Sequence, residues 1–403
     1  MADVLGEPET SALPVALAQS PVSRPLTREE LIRMRTALDD FKAALAAWDR
    51  RRHDSRRKTD DIAPNGRPPA PDSYHTLVVT GYLGDDLGPR KISTEEAVVD
   101  ACQRYFDLRP PGEADASEEI DGYPEEARVD RIHVILDSAG GSLDSAYKTV
   151  VYLRAFAKEV RVYVPTRAKS AATLIAIGAD RVEMSPFAEL GPLDTQIIDP
   201  RNPTARISAL DCYRSVDHVR EFGVLTIPRA LTAILDQNRT RLSLEQLIEA
   251  ATTLAVGSVR PMLEHISALD FGAWGRTLKI GETYAKMLRL RLHNPDSEAA
   301  ARRLAWQLVY GYPHHPYPID RAEATNLGIS VETMPRDVYR AAHDIATACR
   351  NEARFVGFAN DVSEAIKVLA ESDDGAPRLP VGVTASIDLN GSAQASAVSE
   401  NFK

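Results

Sequence analysis

From Tyr74 onward, short apolar runs alternate with amphipathic stretches. The runs 76–81, 131–137, 160–165 and 181–184 are rich in Val, Ile, Leu and Thr and are bounded by Gly, Pro, Asp or Ser, which predicts strands. Between them, 94–106, 143–158 and 170–178 carry apolar residues at three- and four-residue spacing, which predicts helices. Strand and helix taking turns in this way is the sequence sign of a sheet covered by helices. An acidic, Pro-containing stretch, 109–126, interrupts the pattern and is expected to be a surface excursion.

Upstream, Thr27 with Glu30 three residues later, followed by Leu31, Met34, Leu38, Phe41 and Leu45, predicts a helix that opens with a capping box and runs to about Trp48. Arg50, Arg51, Arg52, Arg56, Arg57 and Lys58 then form a basic run, followed by prolines from Pro64 to Pro71. The two together are expected to be an exposed linker, with a phosphate or nucleic-acid contact as the alternative. Downstream of Pro200, helical spacing predicts segments near 207–222, 227–237, 243–255, 259–269, 277–292 and 298–309, then a last pair near 336–349 and 362–371. The organisation expected is an arm 1–26, a helix and linker 27–72, an α/β core 73–200, a helical extension with a closing element 201–335, C-terminal helices 336–371, and a tail 372–403. Both ends are rich in Ala and Ser without periodicity and are expected to be disordered.

Composition narrows the classes. A formal charge of −10 over 403 residues, with the remaining basic residues scattered, argues against a dedicated nucleic-acid binder. Cys102, Cys212 and Cys349 lie far apart and form no CxxC pair, which suits a reducing compartment. The first thirty residues hold no uninterrupted apolar stretch, and no run approaches the eighteen or so apolar residues of a spanning helix. A soluble, cytoplasmic protein without stable membrane insertion is expected.

Two glycine- and serine-centred segments carry candidate chemistry. In VILDSAGGSLDSA, an apolar strand ends at Asp137, Ser138, Ala139, Gly140 and Gly141 and enters a helix. Adjacent glycines permit positive φ and close approach, so their amides suit an oxyanion hole, or simply a tight turn. In RAKSAATLIAIGADRVEMS, Ser170 opens a helix of small and aliphatic residues, where a hydroxyl meets unpaired amides or caps the helix. The segment AELGPLDTQI follows.

This order of motifs, from Thr76 to Ile198, resembles the Clp-protease/crotonase superfamily, and more closely its signal-peptide-peptidase branch and the serine dehydrogenase proteinase family. A weaker echo stands at YPIDRAEATNLGISV. The resemblance implies an α/β fold with a Clp-protease/crotonase-like core of ββα units and added helices. By motif it makes Ser170 the nucleophile and Gly140, Gly141 and the Ala171 amide the oxyanion donors. Asp194 falls near the place where Clp proteases keep a histidine, and no lysine occurs between Lys169 and Lys279, so neither family base is met.

The base is open among His218, Asp194, Lys279 and Lys286. His218 lies on the polar face of the helix 207–222, and the two lysines share a later helix. Lys169 adjoins Ser170 but points elsewhere by helix-start geometry. His314 and His315 stand among prolines with no Cys or carboxylate at ligand spacing, so they read as part of a closing element, and neither metal nor cofactor is expected. The implied function is an ATP-independent serine peptidase acting on peptide or protein substrates as a homo-oligomer. The alternatives are a non-catalytic oligomeric scaffold and a crotonase-like acyl-CoA enzyme.

Overall fold

The computed structural model describes residues 26–59, 74–84, 93–106, 128–199, 202–236, 243–264, 266–292, 298–349 and 355–371. Its first half runs α1 (Arg28–Thr59), β1 (His75–Leu83), α2 (Thr94–Phe106), β2 (Val129–Gly141), α3 (Leu143–Phe156), β3 (Ala157–Val164), β4 (Arg167–Ala168), α4 (Ala171–Ile177), β5 (Arg181–Met184) and β6 (Glu189–Leu190). There follow β7 (Gln196–Asp199), β8 (Asn202–Ser208), α5 (Ala209–Asp236), α6 (Leu244–Leu263), α7 (Ala268–Leu292) and α8 (Glu298–Tyr310). The chain closes with α9 (Arg321–Asn326), β9 (Val331–Thr333), α10 (Arg336–Ala348), β10 (Phe355–Phe358) and α11 (Ala359–Glu371).

The main sheet has the order β10-β1-β2-β3-β5-β9, parallel throughout except for antiparallel β10 on the edge. Short β4 and β6 branch from the carboxyl end of β2, through Ser138↔Ala168 and then Ala168↔Leu190. This is the α/β fold of Clp-protease type with added helices that the sequence led us to expect.

Side chains alternate across the pleat, and both faces of a parallel sheet must be covered. Leu77, Val79, Val134, Leu136, Val162 and Val164 turn to one face, under α2, α3 and α4. Val78, Ile135 and Tyr163, at the intervening positions, turn to the other, where α1, α10 and α11 bury Phe41, Val338 and Val362 against them. The near-continuous apolar strands therefore feed two cores.

Several elements depart from the sequence pattern. The basic run continues α1 to Thr59 in place of the expected linker. Arg52 pairs with Glu332 at 3.2 Å and lies 5.4 Å over the Trp48 ring, and Arg51 reaches Asp337 at 3.8 Å, so β9 and α10 hold charges that local reading leaves in water. Helices α5 and α6 run on through the breaks expected at 223–226 and 256–258, and each holds a proline, Pro228 and Pro261. The two helices approach so closely that a Cβ on Gly223 would lie 2.9 Å from Val259 Cγ1, and that packing outweighs one lost amide bond in each helix. An antiparallel ribbon, β7 with β8, precedes α5. Strands β9 and β10, three and four residues long, are too short to show a period. Leu26, counted in the arm, is buried at the start of α1. Residues 1–25, the linker prolines, the acidic stretch 109–126 and the tail 372–403 lie outside the described residues.

The face covered by α1 carries a buried carboxylate. Glu183 on β5 is fully buried, beside Tyr163 on β3 and directly opposite Glu332 on β9. Neither of its oxygens has a hydrogen-bond partner among the described residues. Burial, with the Glu332 charge adding to it, raises the Glu183 carboxyl from the ordinary 4.5 to about 7. The folded chain thus keeps a proton that the unfolded chain releases earlier. Folding stability should fall as pH rises from about 4.5 to about 7, by an amount on the order of 3 kcal/mol, and then level off. In Glu183→Gln this fall should be absent, so the variant gains on the parent between pH 5 and pH 8 in urea unfolding. An unchanged pH slope in the variant would exclude the account.

Candidate active site

Strand β2 ends in the two glycines, and the turn from β4 into α4 is laid against them. Lys169 N–H donates to Ser138 O at 2.9 Å, which ties the two backbones together. Gly140 has φ +110° and Gly141 φ +153°. A Cβ added to Gly140 would stand 2.7 Å from Ser170 Cβ and 2.8 Å from Lys169 O, so only glycine lets the strand end touch the serine turn. At Gly141 an added Cβ would fall on the backbone of Leu83.

The Gly140 amide is engaged within the strand end itself. Gly140 N–H donates to Ser138 Oγ at 3.0 Å, and the same hydroxyl donates to Gly81 O at 2.5 Å. Ser142 N–H donates to Leu83 O on β1.

Ser170 itself has φ 50° and ψ −124° and is the one non-glycine residue with positive φ among the described residues. Such a conformation costs on the order of 1–3 kcal/mol and persists only where the surroundings over-determine it. Its side chain makes no capping bond to α4 and is partly exposed, so the hydroxyl is free of a structural task. The Ala171 amide follows at the first helical position, where intrahelical partners are lacking. Helix α4 reads AATLIAI, apolar on every side, and is wholly buried. Thr173, unnoticed in the sequence, clasps the turn: its hydroxyl bonds Ala168 O and Gly191 O at 2.8 Å each, and Gly191 N–H bonds back at 3.1 Å.

Asp194 lies just beyond this turn and is buried, 3 % exposed. Its Oδ1 accepts from Leu210 N–H at 3.3 Å at the start of α5. Burial raises its carboxyl above the ordinary value, while the Ser208 hydroxyl, the Leu210 amide and the charge of nearby His315 pull it back.

His315 belongs to the segment 311–320 between α8 and α9, and that segment is bonded to both sides of the serine turn. Lys169 Nζ donates to Tyr317 O at 3.2 Å and pairs with Glu189 at 2.9 Å. Leu190 and Ile319 exchange backbone bonds of 2.9 and 3.1 Å. His315 Nδ1 is buried without a hydrogen-bond partner among the described residues, while His314 turns to the Tyr317 ring. Sequence reading assigned His315 to the closing element. Nothing local marks it as a neighbour of Asp194, which precedes it by more than a hundred residues.

The other base candidates stand apart. His218 is exposed on α5, about 13 Å along the helix from its start, with no hydrogen bond to Ser170 among the described residues. Lys279 Nζ pairs with Glu282 at 3.0 Å and its side chain is 66 % exposed, which removes the desolvation that a lysine base needs. Lys286 pairs with Glu298 at 3.1 Å. Lys169, as expected, points away from the serine hydroxyl's role, into its own ion pair and two carbonyls. Helix α7 crosses above: a Cβ on Gly281 would lie 3.5 Å from both Leu143 Cδ1 and Leu193 O, and Tyr284 stacks on Tyr147 and bonds Asp144. No group of three or more His, Cys, Asp or Glu suited to a metal occurs among the described residues.

Residues 115–223 match the family model described as ClpP-like SDH-type serine proteinase, which bears out the resemblance read from the sequence and points to serine-peptidase chemistry. Over 210 residues the chain is 26 % identical to an uncharacterized protein of Methanocaldococcus jannaschii, an alignment that covers 52 % of this chain and 56 % of that protein. The chain thus spans little more than half the length of that relative. The family match holds the diglycine turn, Ser170 and Asp194 and ends before His315.

The backbone strain at Ser170 has a measurable signature. Glycine adopts the observed φ and ψ freely, whereas alanine keeps the cost, so Ser170→Gly should be more stable than Ser170→Ala by about 1 kcal/mol despite the usual entropic penalty of glycine. Chemical denaturation of the two variants reads this directly. Ser170→Ala proving the more stable would mean that the turn is not strained.

Proposed function

We propose that the protein is an ATP-independent serine peptidase in which Ser170, His315 and Asp194 act as nucleophile, base and orienting acid. The observation that carries this reading is an uncapped serine in a strained conformation laid against the diglycine, next to a segment whose His315 has a buried imidazole nitrogen, unpartnered among the described residues, and acts electrostatically on the buried Asp194. In this scheme Ser170 Oγ attacks the scissile carbonyl while the imidazole of His315 takes its proton. The proton then passes to the leaving amine, and water releases the acyl group by the reverse exchange.

Of the oxyanion donors expected from sequence, Gly141 and Ala171 are favoured over Gly140, because the Gly140 amide is already engaged by Ser138. Asp194 would hold the imidazole in its tautomer through the proton on the facing nitrogen. His218 and Lys279 fall out of the catalytic set. Peptide or protein is the substrate class, drawn from the family match.

A homo-oligomer belongs to the same proposal. Val224, Leu225, Leu235, Leu244 and Leu254 stand exposed on α5 and α6, apolar side chains that a second copy of the chain would cover. No described helix is long and apolar enough to cross a membrane.

Substitution tests the scheme. Ser170→Ala should abolish both hydrolysis of an unstructured protein substrate and labelling by a fluorophosphonate, which only an activated serine takes up quickly. His315→Ala should cost at least about two orders of magnitude in turnover, and Asp194→Asn a comparable amount, since the amide keeps the Leu210 bond but loses the charge. His218→Ala and Lys279→Ala should stay within about two-fold of the parent. Full activity in His315→Ala would sink the base assignment. Failure of the parent to label at all would favour the scaffold.

A further inference from the structure

Outside the serine turn, a cavity of about 990 Å³ opens between α7, α8 and the end of α9. That size matches small-molecule sites, which run from roughly 300 to 1,000 Å³. Its walls include Lys279, Lys286, Arg302, Arg303 and Trp306.

The charges do not cancel. Glu298 serves both Lys286 and Arg302, at 3.1 and 2.6 Å. Glu282 is shared by Lys279 and the Tyr310 hydroxyl, and Glu323 accepts from Tyr312 at 2.9 Å. Arg303 makes no ion pair among the described residues. Four cations against Glu282, Glu298 and Glu323 leave a surplus of one, and in a chain of net charge −10 a concave site with a net positive charge is a local exception that attracts anions. Arginine also supplies a planar fork suited to phosphate or carboxylate.

Trp306 adds a second kind of recognition. Its side chain is 53 % exposed at the cavity wall, with the Tyr310 ring 6.1 Å behind it. An indole left in water at a basic cavity offers a platform on which a planar ring can stack.

We infer that this cavity binds a small organic anion carrying a planar ring, stacked on Trp306 and held by Arg303 and the facing lysines. The site shares its Glu282 and Glu323 walls with Tyr310 and Tyr312, which anchor the start of segment 311–320. It is separate from the serine turn and does not depend on the peptidase reading.

Calorimetric titration of the full chain with adenosine monophosphate, inorganic phosphate and adenosine tests this, alongside quenching of tryptophan fluorescence. Saturable binding of adenosine monophosphate, tighter than either fragment, is expected. Trp306→Ala and Arg303→Ala should each weaken it by about ten-fold or more, while Arg229→Ala on α5 should leave it unchanged. The inference is overturned by any of three outcomes: no saturable binding up to about 10 mM, phosphate alone binding as well as the nucleotide, or unchanged affinity in both cavity variants.

Discussion

The contact between the end of β2 and the turn before α4 is the constraint on which the rest of the site depends. There is no room for a side chain between Gly140 and Ser170, and the Lys169 amide is bonded to Ser138 O across the same gap. Two backbones held this close hold Ser170 in a conformation that it would not choose alone. The strain is carried by a stiff neighbourhood. Helix α4 is buried on all sides, and the Thr173 hydroxyl shares its proton between the Ala168 and Gly191 carbonyls while accepting from the Gly191 amide.

The sheet behind the turn makes that stiffness possible. Its strands are covered by α2, α3 and α4 on one face and by α1, α10 and α11 on the other, so the carboxyl ends that carry the site are held from two cores. The second core is not purely apolar. His133 is buried beside the Tyr163 hydroxyl at 3.0 Å, and burial, reinforced by Arg131 and Arg161, drives its imidazole well below the ordinary value. Glu183 lies on the same face with neither oxygen bonded among the described residues. These groups cost stability where they stand. The ion pairs of Arg52 and Arg181 with Glu332 tie α1 and β5 to the outer strand beside them.

Segment 311–320 connects distant parts of the chain. It is pinned to Lys169 and Leu190 near the serine, places His315 near Asp194, and through Tyr310 and Tyr312 reaches the carboxylates that wall the cavity by Trp306. Its prolines restrict φ and reduce the entropy lost on ordering, which suits a piece held by a few bonds at each end.

The amino-acid sequence by itself determined the α/β core, because strand and helix periods there are strong and local: Val134, Ile135 and Leu136 read as a buried strand, and Leu143, Ala146 and Val150 as a helical face. The diglycine and Ser170 were legible for the same reason, since glycine pairs and a serine before a small-residue helix are contiguous signals. Only the tertiary structure decided that the Gly140 amide is engaged by a Ser138 hydroxyl anchored on Gly81 O, because that follows from the strand's pairing with β1. It also carried the Arg50–Lys58 run into a helix through charges on β9 and α10 that lie hundreds of residues away. Likewise it brought His315 near Asp194 and left His218 on an outer helix face. Proximity between segments so far apart is set by packing and loop closure, and a period read along the chain holds no information about it.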